Sequence, residues 1–94
     1  MSIGRKIKDR KVDADHSKVC FKPCGIRGID LEKIVIYEDE MEAIRLADYE
    51  GLYQQEASQK MGISRTTFSR VVESARLKIA DALLNQKAIN IKSR

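Results

Sequence analysis

A run of hydrogen-bonding and cationic side chains opens the longest helix-patterned stretch of the chain: Ser64, Arg65, Thr66, Thr67, Ser69, Arg70 and Glu73, with Arg76 a turn further on. At helical periodicity Phe68, Val71, Val72, Ala75 and Ile79 form an apolar stripe, and Ser64, Arg65, Thr66, Ser69, Arg70 and Glu73 fall on the opposite face. Such a face suits base-edge recognition. Arginine pairs bidentately with guanine, and threonine meets a phosphate or a thymine methyl. A carboxylate such as Glu73 accepts from cytosine or orients Arg70. The first residues of a helix lying in a major groove are those that reach base edges, and the helix N-terminus itself favours phosphate. For each of these residues the competing reading is a solvated surface side chain. Arg76 is expected to reach the DNA backbone at best, and Lys78 to be simply solvated.

Other chemistry is poorly supplied. His16, Cys20 and Cys24 stand at H-x3-C-x3-C, but a structural zinc site wants four ligands. The expectation is buried or incidental thiols and no metal. With one histidine, no G-x-S-x-G, no phosphate-cradling glycine loop and no acidic pair in a plausible pocket, neither an enzyme nor a cofactor is expected. Glu38, Asp39 and Glu40 read as a solvated first helical turn matched to the helix dipole.

The polar face must be positioned by what precedes it. Gln54 to Met61 reads as a short helix with Ala57 and Met61 on one face and Ser58 as the small residue at a close approach. Gly62 permits a positive φ at the turn, Ile63 plugs the core, Ser64 caps the next helix, and that helix runs from Arg65 to about Leu84. Two helices and a tight turn in this register make a helix-turn-helix. Upstream, Glu38 to Tyr49 carries apolar residues at helical spacing and stops at Gly51. Ile34 to Tyr37 and Ala88 to Ile91 read as short strands that pair within the chain or across a dimer. Asp30 is expected to cap a turn over Leu31 to Lys33. Phe21 and Ile26 are expected to anchor a turn-rich connection over residues 19–28. Residues 1–18 read as a flexible arm whose Arg5, Lys6, Lys8, Arg10 and Lys11 supply phosphate or minor-groove contacts, or only solubility. Residues 19–94 form the helix-turn-helix domain.

Charge follows the same division. Residues 1–28 carry 8 basic and 3 acidic side chains, residues 29–62 carry 3 and 9, and residues 63–94 carry 7 and 2. Two basic ends flank an acidic middle, as suits a polyanion-binding surface backed by an acidic one. No apolar run spans a membrane, no secretory leader is evident, and two cysteines make no disulfide framework. A cytoplasmic location is expected.

The run EDEMEAIRLADYEGLYQQEASQKMGISRTTFSRVVESARLKIADAL, preceded by FKPCG and followed by KAINI, resembles the prokaryotic family catalogued as domain of unknown function 134, whose members are regarded as DNA-binding. Its helix-turn-helix portion is similar to the fourth region of bacterial sigma factors. The resemblance implies a mainly α, sigma-factor region-four-like fold, with the two short strands beside it. Tyr37 and Tyr53 stand where the family usually offers Thr or Ser at helix starts, so two caps of about 1 kcal/mol each are missing unless the rings compensate by packing. Cys24 replaces the family's usual Ala. The resulting expectation is sequence-specific double-stranded DNA binding by a homodimeric transcriptional regulator, with the helix from Arg65 in the major groove. The alternative is a non-catalytic interaction module whose acidic helix docks the transcription machinery.

Overall fold

The computed structural model describes residues 19–94. In chain order these form strand β1 (Cys20–Phe21), a 3-10 turn (Gly28–Asp30), strand β2 (Lys33–Tyr37), helix α1 (Glu38–Ile44) running into a π-helical turn (Arg45–Tyr49), helix α2 (Gln54–Met61), helix α3 (Arg65–Asn85) and strand β3 (Ala88–Lys92). The architecture is mainly helical, three helices on a small three-stranded sheet. The expected arm over residues 1–18 and His16 lie outside the described residues.

The helix-turn-helix forms as its local chemistry dictates. Gly62 takes φ +69°. Its N–H donates to Gln59 O and the Ile63 N–H donates to Ser58 O, each at 3.1 Å. This doubly bonded left-handed ending satisfies the last carbonyls of α2. Ser64 then caps α3, its Oγ accepting from the Thr67 N–H at 3.1 Å. The stripe of α3 closes a core of Ala43, Leu46, Ala57, Phe68 and Val72, ringed by Ala47, Leu52, Met61, Ile63 and Val71. Ser58 is buried beside Ala57 and donates its hydroxyl to Gln55 O, so α2 approaches closely without orphaning a polar group.

At the other end of α3, β3 lies centrally in the order β1-β3-β2. It pairs antiparallel with β1 and parallel with β2, Lys33 opposite Ala88 through Tyr37 opposite Lys92. The strands therefore pair within one chain. Ile36, Ala88 and Ile91 are buried. A parallel pair needs a crossover, and here the crossover is the whole helical unit from Glu38 to Asn85.

Several expectations are corrected. The turn near Asp30 covers Gly28–Asp30, closed by the Leu31 N–H on Gly28 O, and Lys33 belongs to β2. The helix from Glu38 does not stay α to Tyr49. It widens to a π turn in which the Glu50 N–H reaches Arg45 O, an added residue that sequence periodicity does not register. Phe21 does not anchor the core, being 60% exposed on its two-residue strand. Ile79 and Val71 are half-buried rather than fully enclosed. Of the two missing caps, Tyr37 is compensated. Glu40 Oε1 accepts from its backbone N–H at 2.9 Å, while Lys78 and Arg94 sit over its ring at 5.0 and 4.2 Å from the centroid. Tyr53 makes no side-chain cap bond and is exposed.

Candidate nucleic-acid interface

The polar residues singled out above are displayed together on the first turns of α3. Arg65, Thr66, Arg70 and Glu73 are exposed and Ser69 is half-buried, because Phe68 and Val72 take the opposite face into the core. Ser64 and Thr67 share the cap. Besides accepting the Thr67 N–H, Ser64 donates its hydroxyl to Thr67 Oγ1 at 2.9 Å, so this pair fixes the start of the helix before it can touch a ligand.

The cations of α3 divide sharply. Arg76 binds both oxygens of Asp48, at 2.6 and 3.2 Å, and that carboxylate raises its pKa beyond the ordinary arginine value. Lys78 donates to Glu40 at 2.8 Å. Arg65 and Arg70 have no carboxylate partner among the described residues. Arg76 is thus committed to the turn before α2, and Lys78 is a structural residue rather than a solvated one.

Glu40 is the largest departure from the sequence reading. Far from being solvated, it is buried and accepts from the Tyr37 N–H, the Ser74 hydroxyl at 2.7 Å and Lys78. Burial pushes its pKa up. The bonds from Lys78, Tyr37 and Ser74 outweigh that and hold it below the ordinary glutamate value. The carboxylate ties the end of β2 and the start of α1 to mid-α3. Other carboxylates of the acidic middle are also engaged: Asp39 with Arg94, Glu42 and Glu50 with Arg45.

Two residues missed in the sequence join the surface. Gln54 lines an open concavity with Arg65, Thr66 and Ser69. The exposed Tyr53 lines an adjoining hollow with Gln54, Ser69, Glu73 and Arg76. Their signal was position alone, at the start of the first helix of the motif, where the turn brings them beside the start of the second. Cys20 and Cys24 are free and exposed, not buried. Among the described residues no three His, Cys, Asp or Glu side chains gather to hold a metal, and no helix is long and apolar enough to cross a membrane.

Fold and surface together define a helix-turn-helix domain carried on a small mixed sheet, with a polar, cationic leading face on its long helix. The chain belongs to the family described as protein of unknown function DUF134, whose model matches residues 1–94. It is 51% identical over 88 residues to a UPF0251 protein of Prosthecochloris aestuarii, covering 94% of this chain and 57% of that one. It is 48% identical over 89 residues to one of Caldanaerobacter subterraneus subsp. tengcongensis, covering 95% and 75%. With one of Vibrio parahaemolyticus it shares 46% over 87 residues, covering 93% and 91%. The chain thus spans little more than half of the Prosthecochloris relative. No solved structure matches it.

Proposed function

We propose that the domain binds double-stranded DNA sequence-specifically and acts in transcriptional regulation, with the first turns of α3 in the major groove. One observation carries the reading. Arg65 and Arg70 stand exposed and unpaired by any described carboxylate on the leading face of a capped helix, whereas Arg76 and Lys78 further along that helix are both neutralised. Arginines on the first turns of a groove-reading helix are placed to form bidentate contacts with guanine. Thr66, Ser69 and Gln54 flank them as further donors and acceptors, with the exposed Tyr53 beside them. The competing module, docking a basic partner through its acidic helix, is disfavoured because Asp39, Glu40, Glu42, Asp48 and Glu50 already hold cations of this chain.

The test is random-site selection on the purified protein, followed by binding isotherms on the enriched sequence. Arg65→Ala and Arg70→Ala are each expected to weaken cognate binding by about 1–3 kcal/mol. Contact with about five phosphates gives a log–log salt slope near −4 to −5. No enrichment, or a double variant that binds like the wild type, would refute the reading.

A further inference from the structure

We infer that the outer edge of β2 is a self-association surface, on which a second copy of this chain adds its own β2 antiparallel about Val35 to make a continuous six-stranded sheet. The sheet has two edges and treats them differently. One is β1, two residues long, and so blunt that it offers no template. The other is β2, five residues, Lys33-Ile34-Val35-Ile36-Tyr37, with no proline and β-branched at three successive positions.

Hydrogen-bond accounting shows what that edge leaves open. The Ala88 N–H donates to Glu32 O at 2.8 Å. With the parallel register, this turns Ile34 and Ile36 toward β3 and leaves Lys33, Val35 and Tyr37 facing outward. Tyr37's N–H is taken by Glu40. The N–H groups of Lys33 and Val35 have no partner among the described residues. An edge lysine is a common guard against pairing, but Lys33 folds back, its Nζ donating to Gly28 O at 3.0 Å. Among the described residues nothing guards that edge.

The partner follows from self-complementarity. Among two-fold pairings of the outward residues, the one centred on Val35 uses all five positions. It sets Val35 against Val35, Ile34 against Ile36 and Lys33 against Tyr37, and gives the Val35 N–H of each copy the Val35 carbonyl of the other. β3 cannot serve instead, because both its sides are already paired. The sequence expectation of a dimer built on both strands thereby narrows to one.

The test measures mass by sedimentation velocity without DNA, so its result is separate from whether DNA is bound. The wild type is expected as a dimer. At the two-fold, like charges directly opposite repel, so Val35→Glu alone and Val35→Lys alone should each fall to half the wild-type mass. An equimolar mixture should return to the dimer mass. Val35→Pro removes an outward donor without touching the β3 ladder and should be a folded monomer, with circular dichroism confirming the fold. A monomeric wild type would overturn the proposal. So would dimers of the single charged variants, which would direct attention to the exposed Leu77, Leu83 and Leu84, or a mixture that stays monomeric while both variants remain folded.

Discussion

Glu40 shows how much one side chain can decide. A carboxylate this buried is tolerated because three donors reach it from two elements: Tyr37 at the end of β2, then Ser74 and Lys78 on α3. Removing it leaves Lys78 and the Tyr37 N–H uncompensated, so Glu40→Ala is expected to cost about 2–3 kcal/mol in urea unfolding. Because its folded pKa lies below the unfolded value, its contribution is complete above the ordinary glutamate pKa of about 4.3 and is lost as pH falls through the folded value. The stability gap between wild type and Glu40→Gln should therefore narrow from about pH 6 to about pH 3; a gap that stays constant would deny the carboxylate this role. None of this was legible in the residues themselves. In the first turn of a helix Glu40 looks like its neighbours Glu38 and Asp39, and what distinguishes it is bonds from residues 34 and 38 positions away. Arg65, Thr66 and Arg70 were legible because their exposure follows from periodicity alone.

Among the elements, those stabilised locally were the readable ones. Ser64, Gly62 and the apolar spacing of α2 and α3 specify their boundaries through bonds spanning three to five residues. The π turn at Arg45–Tyr49 was hidden, since it depends on how Leu46 packs under Phe68 and Val72 while Asp48 meets Arg76. The end of α3 contains an unspent gain in stability. Gln86 takes φ 57° where glycine is the usual occupant, with the Lys87 N–H returning to Ala82 O. Gln86→Gly should relieve that backbone cost and raise stability by about 0.5–1 kcal/mol, read as a higher urea midpoint at unchanged slope. An unchanged or lower midpoint would mean that the side chain contributes more than its conformation costs.

For the whole molecule, the sheet and the helix-turn-helix share α3 and meet at Glu40. They should unfold as one unit. Ile36→Ala at the sheet end and Phe68→Ala at the motif end, both fully enclosed, should each lower a single transition by about 2–4 kcal/mol, with far-ultraviolet dichroism and tyrosine fluorescence coincident. Two separated transitions would show the sheet to be an appendage. Strand existence was readable from Ile34 to Tyr37 and Ala88 to Ile91. Their parallel, intrachain pairing was not, because it rests on a chain closure that no local pattern encodes.

That closure also sets a timetable. Lys33 pairs with Ala88, so β2 leaves the ribosome with its partner still unmade. At about 5–20 residues per second it waits roughly 3–10 s as an isolated β-branched strand with both edges open. The helices between can form and close their core meanwhile. The sheet must come last, and during synthesis the interval before β3 arrives is when neighbouring nascent chains are most able to pair through the wrong edge.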